Sequence, residues 1–398
     1  MPLKRFTLLG LTLAAVACRT SSAPVPASAQ TNAYVLRLGK DTLAVDQAVR
    51  LGDRIEGTMV THLPRTQVTR YTVVLNPSSG LAQSLEYSVR LPDGGMLPAG
   101  NQPGPLRKVT VTFGTDSAVR QDQRDSLITT RAAVQNGVPF ITYAIAFFQL
   151  PIGALRASNA DSATYAIYQA GRQTTPLSVV RKGGEGNRYT VSIGGFPWDV
   201  ATDNRGVIQR VDGARTTQHY VTTRQNSVDG PALAAMWAQR ERDARVPTVL
   251  SLRDTARANI GPAELWVDYG RPALRGRKVF GPTGVLNDTI WRTGANAATQ
   301  FRTNMSVTLA GVPVPAGTYT LWTVAVPGRY QLIVNKQTGQ WGTVYDPKQD
   351  LVRVPLHTRP LSQPVEQFTI AIETIPPTGG ILRLRWDTTE LSVPITVP

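Results

Sequence analysis

Residues with the side chains for ligand chemistry are concentrated between positions 264 and 342. Arginine and asparagine side chains there offer forks of donors that suit a carboxylate, sulfate or phosphate. A tryptophan in the same segment could stack on a sugar ring or shield an ion pair from water. The candidate ligand-binding residues are Asp268, Tyr269, Arg271, Arg277, Arg292, Asn296 and Trp341.

Five uncommon peptides follow one another in this segment. They are Asp268-Tyr269-Gly270-Arg271-Pro272, Gly276-Arg277-Lys278, Trp291-Arg292-Thr293-Gly294-Ala295-Asn296, Pro315-Ala316-Gly317-Thr318-Tyr319 and Gln340-Trp341-Gly342. In this order they resemble the bacterial family catalogued as domain of unknown function 2911, across about residues 247–398. That family has no established activity, so the resemblance implies no particular reaction.

The polar set admits three interpretations. Asp268 could pair with Arg271 or Arg292 and simply lock two strands together. The set could instead bind an anion, or form a hydrolase-like or carbohydrate-active enzyme centred on Asp268, Arg271, Arg292 and Asn296. The resemblance weakens the catalytic interpretation, because Ala297 stands where the family usually has glutamate.

Other catalytic and metal-binding patterns are not found in the sequence. The three histidines, His62, His219 and His357, lie far apart, and no two have the spacing of metal ligands. No peptide resembles a nucleophile elbow. We therefore expect no metal site and no cofactor.

The first residues have the pattern of an export signal. Lys4 and Arg5 precede the short apolar run 6–17, which is too short to span a bilayer. The run ends at Cys18, the only cysteine, so we expect Cys18 to be lipid-modified and residues 1–18 to be a lipoprotein signal peptide. Cleavage after Ala29 is the alternative. Residues 19–33 are predicted to be a flexible tether.

The formal charge of +15 comes mainly from arginines spread along the whole chain. They alternate with apolar residues, as in Arg70-Tyr71-Thr72-Val73, which is typical of strands with one solvated face. A more specific interpretation is that this positive charge attracts the protein to anionic lipid or polysaccharide surfaces. Without a compact basic run or a binding motif, we expect no nucleic-acid partner.

The pattern of short strands and turns predicts an all-β protein. We expect an antiparallel domain at 34–228, built as a curved sheet or half-barrel. A connector helix at 229–246 and a β-sandwich at 247–398 follow. The apolar run from Val138 to Ile152 is interpreted as a buried strand or pocket lining. Its candidate pocket residues, which could equally be ordinary core, are Phe140, Tyr143, Phe147 and Phe148.

Together these patterns predict an exported lipoprotein on the periplasmic side of the cell envelope, anchored by lipid in the outer membrane. The expected role is non-catalytic: binding an amphipathic or anionic envelope ligand, such as a lipid or glycan, or scaffolding. The oligomeric state and the identity of the ligand stay open.

Overall fold

A computed structural model describes most of the chain after the predicted signal peptide. The described residues are 30–97, 104–168, 174–183, 187–216, 219–244, 250–281, 284–286, 289–326 and 328–398. Cys18 and residues 19–29 of the predicted tether lie outside this part. Strands dominate the described residues, so the predicted all-β class is confirmed. Within these ranges no helix is both long and apolar enough to cross a membrane.

The N-terminal half forms one large sheet of fifteen strands. Every neighbouring pair is antiparallel except β9 and β10. The strands are β1 (Gln30–Leu38), β2 (Asp41–Leu51), β3 (Arg54–Thr61), β4 (Gln67–Leu75), β5 (Ala82–Arg90), β6 (Lys108–Phe113), β7 (Ser117–Gln123), β8 (Leu127–Ala133), β9 (Gly137–Val138), β10 (Ser162–Tyr168), β11 (Thr174–Arg181), β12 (Arg188–Ile193), β13 (Phe196–Thr202), β14 (Ile208–Asp212) and β15 (Val221–Gln225).

The order of the strands explains how the sheet curves. It runs from β8 back to β1, then from β15 back to β9, so the two edge strands are neighbours in sequence. The Tyr168 hydroxyl in β10 donates a 2.6 Å hydrogen bond to Thr130 Oγ1 in β8. The two edges therefore approach each other without a continuous ladder, as expected for the predicted curved sheet. Strand β1 begins at Gln30, so the end of the predicted tether belongs to the sheet.

The concave face of this sheet is filled by the segment between β9 and β10. A 3-10 turn (Ile145–Phe148) leads into helix α1 (Gln149–Ser158), whose apolar side packs on the inner residues of the sheet. The strand interpretation of the run 138–152 is therefore wrong beyond Val138. Pro151 is compatible with α1 because it lies in the first turn, where its missing N–H has no helical acceptor.

The predicted connector helix is present as α2 (Gly230–Ala244). It packs on the opposite face of the large sheet, where Ala234 and Trp237 meet Val45 and Val60. The Trp237 ring lies 4.6 Å from the His62 ring, measured between centroids. This helix therefore covers part of the outer face and leaves the concave face to α1.

The C-terminal part consists of two sheets that share one core, as predicted for a β-sandwich. A 3-10 turn (Pro347–Gln349) directly precedes the strand that begins at Asp350. The larger sheet contains β16 (Ser251–Ile260), β17 (Ala263–Pro272), β18 (Thr289–Trp291), β19 (Thr299–Thr303), β22 (Gly317–Ala325), β23 (Gln331–Asn335) and β24 (Asp350–Pro355). The smaller sheet contains β20 (Val307–Leu309), β21 (Val312–Val314), β25 (His357–Ile375) and β26 (Gly379–Thr396).

The hairpin turn between β1 and β2 connects the large sheet with the sandwich. The backbone N–H of Lys40 donates to the Arg275 carbonyl at 2.9 Å, and Asp41 forms an ion pair with the Arg275 guanidinium. Gly39 has φ of +60° and packs so closely that an added Cβ would lie 2.0 Å from the Arg275 carbonyl oxygen. Glycine is therefore required at this contact.

Candidate functional site

The predicted polar set does not form one cluster. Among the described residues, no hydrogen bond or ion pair joins Asp268 or Arg271 to Arg292 or Asn296. Asp268 instead accepts hydrogen bonds of 2.7 and 3.0 Å from Arg253 on the neighbouring strand β16. These four residues therefore do not form the single site that the enzyme interpretation requires.

Two members of the set hold the two sheets of the sandwich together. Tyr269 is buried, and its hydroxyl accepts a 3.0 Å hydrogen bond from the Ile370 backbone N–H. The Arg271 guanidinium donates to the Phe368 carbonyl at 3.1 Å and to Asp254 at 3.0 Å. For these residues the strand-locking interpretation fits the contacts, although the partners differ from those expected.

The remaining members lie on the side of the sandwich that faces the large sheet. The Arg292 guanidinium donates to the Gly342 carbonyl at 3.3 Å. Asn296 is exposed, has φ of +64°, and accepts the Gly342 N–H through its backbone carbonyl. Trp341 is 57% exposed, so its ring is free to contact something other than the sandwich core.

Trp341 reaches a cavity of about 310 Å³ in the concave face of the large sheet. All four predicted pocket aromatics line this cavity, so residues predicted separately in the two halves of the chain meet there. The aromatic lining consists of Phe140, Tyr143, Phe147, Phe148, Phe196, Trp198, Tyr220 and Trp341. Aliphatic side chains from β1, β10, β11 and β12 form the floor, namely Leu36, Ile167, Leu177 and Ile193.

The segment after β9 shapes the cavity wall through a strained residue. Tyr143 has φ of +72°, a left-handed conformation that is costly for a bulky side chain. Its ring meets that of Tyr220 edge to face, with centroids 5.6 Å apart. Phe148 meets Trp198 in the same way, at 6.4 Å. These ring contacts hold the wall in place and leave the space beside it open.

Few polar groups face this cavity, and most are hydroxyls. Burial and the neighbouring Tyr143 raise the pKa of Tyr220 well above its usual value. Thr216 and Thr343 add two more hydroxyls at the wall. A mainly apolar lining with a few fixed polar groups is typical of small-molecule sites.

His219 lies next to the cavity residue Tyr220 and has the most strongly lowered histidine pKa among the described residues. Burial and then the positive charge of Arg277 lower the pKa of His219 to about 4, and Arg292 adds to this effect. The imidazole is therefore neutral at pH 7. Sequence spacing did not single out His219, because its environment depends on arginines more than 50 residues away.

A larger groove of about 1340 Å³ lies beside α2 on the other face of the large sheet. It is wide open, and charged side chains line much of it. Arg54 pairs with Glu56 at 2.6 Å, and Lys108 pairs with Glu86 at 3.2 Å, both with about half of each side chain exposed. Exposed pairs of this kind contribute little energy. The smaller, apolar cavity is therefore the better candidate site.

Comparison with protein families finds a match in the C-terminal part of the chain. Residues 251–395 match the model of the family described as "Protein of unknown function (DUF2911)". The C-terminal part is a DUF2911 region. This confirms the family that the five peptides resemble, with bounds a few residues inside those predicted. Two cavity-lining residues, Trp341 and Thr343, thus belong to the DUF2911 region, whereas the other lining residues come from the N-terminal half.

Comparison with solved structures gives only distant similarities. A beta-barrel-like protein of domain of unknown function DUF1849 from Brucella abortus is 10% identical, with a TM-score of 0.29, over 50% of this chain and 94% of that one. Transferrin binding protein B from Neisseria meningitidis serogroup B is 7% identical, with a TM-score of 0.12, over 89% of this chain and 66% of that one. No curated protein matches the chain.

Proposed function

We propose that the protein binds the apolar part of an amphipathic ligand in the cavity between the large sheet and the DUF2911 region. The single observation that carries this proposal is the open apolar space beside the segment 138–148. Elsewhere the same concave face is packed, with Ile152, Leu155 and Tyr189 almost completely buried. Protein interiors normally leave few voids larger than a water molecule, so an opening of this size calls for a reason.

The dimensions and lining of the cavity suit one slender apolar ligand. Its volume of about 310 Å³ is near the lower end of the range of ligand pockets, about 300–1,000 Å³. Two exposed aromatic residues, Phe196 and Trp341, are part of its lining. We place the entrance between them, because exposed rings at a pocket edge offer apolar surface to an arriving chain.

A fluorescent probe of apolar sites, N-phenyl-1-naphthylamine, tests this proposal directly. Ile193→Trp places a larger side chain in the cavity floor and is expected to weaken dye binding at least tenfold. Val180→Trp is the matched control, because Val180 is 43% exposed on the neighbouring strand β11 and does not line the cavity. Equal dye binding by the two folded variants would exclude the cavity as the site.

We also propose that the protein is exported and anchored to the outer membrane through Cys18. The support is the sequence alone: a basic start, a short apolar run and a lone cysteine. Metabolic labelling with an alkyne fatty acid tests the anchor. Cys18→Ser is expected to lose the label and to leave the membrane fraction. Labelling that persists in this variant would contradict the anchor and leave the cavity proposal unaffected.

A further inference from the structure

Two arginines just outside the cavity lining have no carboxylate partner in the described part of the chain. Among the described residues, neither Arg277 nor Arg292 has an acidic side chain within ion-pair distance. Arg277 donates only to backbone carbonyls, those of Ala273 at 2.8 Å and Leu274 at 3.0 Å. Neighbouring Arg275, by contrast, is paired with Asp41. The positive charges of Arg277 and Arg292 are therefore not neutralised locally.

Arg292 is the less satisfied of the two. Its Nε atom is buried and has no hydrogen-bond partner within the described part of the chain. Burial lowers the pKa of Arg292, but a guanidinium still keeps its charge at pH 7. A buried donor without an acceptor normally costs free energy, so such a group calls for a specific explanation.

The position of Arg292 links this charge to the cavity. Its guanidinium donates to the carbonyl of Gly342, and the residues on either side, Trp341 and Thr343, both line the cavity. The side chain packs so closely that a Cβ at Gly342 would lie 1.8 Å from Arg292 Cδ. The peptide that carries the cavity tryptophan is therefore placed directly on the Arg292 side chain.

Arg277 lies at the contact between the halves, where a Cβ added at Gly39 would be 3.1 Å from Arg277 Cγ. Its charge acts on both Tyr220, which lines the cavity, and His219. Asp212 also acts on His219, and Glu366 and Asp41 act on Arg277, but none of these carboxylates pairs with either arginine. With His219 neutral, the described residues next to this edge of the cavity include two positive charges and no negative charge paired with them.

We propose that the ligand is a single apolar chain ending in one compact anionic group, a carboxylate or a phosphate monoester, which Arg277 and Arg292 bind. This inference rests on the binding function proposed above. Guanidinium forks match both head groups, and turning the Arg292 side chain toward the cavity would give its buried Nε an acceptor. The small cavity leaves room for one chain and excludes a lipid with two chains inside it.

The test compares ligands that share one chain and differ only in the head group. Dodecanoic acid, dodecyl phosphate and dodecanol each displace N-phenyl-1-naphthylamine from the full chain at pH 7. We expect the two anions to bind at least tenfold more tightly than the alcohol. Arg292→Gln is expected to remove most of that difference between the anions and the alcohol. Arg257→Gln, an exposed β16 arginine outside the cavity lining, is the control for charge alone.

Each result separates the head-group inference from the cavity proposal. Equal affinity for dodecanol and the two anions would overturn the inference and leave the cavity proposal standing. Displacement by none of the three ligands would overturn both. A preference for dodecanoic acid favours free fatty acids as the ligand source, whereas a preference for dodecyl phosphate favours single-chain phosphate monoesters. The comparison on the unmodified protein remains decisive even if Arg292→Gln does not fold.

Discussion

The two halves of the molecule fill their interiors differently. In the DUF2911 region, the ring of Trp291 stacks on Trp386 at 5.6 Å and meets Phe368 at 4.8 Å, so aromatic rings close the space between the two sheets. In the large sheet, the rings of Tyr143, Phe148 and Tyr220 instead stand around an open cavity. The first arrangement gives stability, and the second leaves room for a ligand.

This difference shows that the distinctive motifs and the open cavity lie mainly in different halves of the molecule. All five distinctive peptides belong to the filled half, where Tyr269 and Arg271 connect strands. The cavity lies mainly in the half without a recognised motif. Trp291 and Trp341 show the contrast within one region: the first is 7% exposed, the second 57%.

The largest expected effect comes from exchanging these two tryptophans for alanine. Trp291→Ala removes a core ring and is expected to destabilise the sandwich by about 3–5 kcal/mol. Trp341→Ala makes the same chemical change at an exposed site, so its unfolding free energy should change by less than about 1 kcal/mol. Urea denaturation measures both. A large loss of stability in Trp341→Ala would show that its ring is structural.

The contribution of Asp46 to the stability of the large sheet is expected to depend on pH. Asp46 is 3% exposed and accepts a 2.9 Å hydrogen bond from Tyr71. Burial raises the pKa of Asp46 from 3.8 to about 7, although this hydrogen bond opposes the shift. Between those pH values the folded protein holds a proton that the unfolded chain has released, so this carboxyl's contribution to stability falls as pH rises.

Asp46→Asn removes that titration. Relative to the unmodified protein, the variant is expected to gain a few kcal/mol of stability as pH rises from about 4 to about 7, and no more above pH 7. Urea denaturation at a series of pH values measures the gain. A stability difference that does not change across this range would mean that Asp46 is already ionised in the folded protein.

The contact between the halves is expected to depend on Gly39. An alanine there meets the Arg275 carbonyl oxygen, whereas Gly52 has the same φ of +60° with no atom within 4 Å of an added Cβ. Gly52→Ala should therefore lower the free energy of unfolding by only about 1–2 kcal/mol, the cost of placing an alanine in the left-handed conformation. Gly39→Ala should cost about 1–3 kcal/mol more. If Gly39→Ala and Gly52→Ala lose the same stability in thermal unfolding, the two halves lie farther apart at Gly39 than described.

The smallest effect is expected at Asp268, although it belongs to the most distinctive peptide. Its partner Arg253 is 41% exposed, and ion pairs of this kind contribute at most about 1 kcal/mol. Asp268→Asn should therefore change neither unfolding nor N-phenyl-1-naphthylamine binding measurably. A loss of dye binding in a stable variant would return this residue to the ligand site.

Local patterns in the sequence predicted much of the fold. Alternation along β4 and β6 identified strands with one buried face, and Gly230-Pro231 marked the start of α2. Helix α1 was missed because it is only ten residues long and contains both Pro151 and Gly153. Its formation depends on burial in the concave face, which local propensity does not describe.

The arrangement of the site could not be predicted in the same way. Phe148 was predicted from the apolar run 138–152 and Trp341 from the peptides between 264 and 342. Almost 200 residues separate the two, and only the folded chain brings them to one cavity. The partner of Asp268 depends on the pairing of β16 with β17, which places Arg253 within reach instead of Arg271 or Arg292. Register of this kind is set by long-range packing.

Photocrosslinking tests the central claim most directly, because it reports where a ligand lies. A dodecanoic acid bearing a diazirine near the end of its chain is bound to the exported full chain, activated by light, and mapped by peptide mass spectrometry. We predict adducts within residues 139–148 and 341–343 that disappear in Ile193→Trp and persist in Val180→Trp. Adducts in the groove beside α2, or adducts that Ile193→Trp leaves unchanged, would contradict the account.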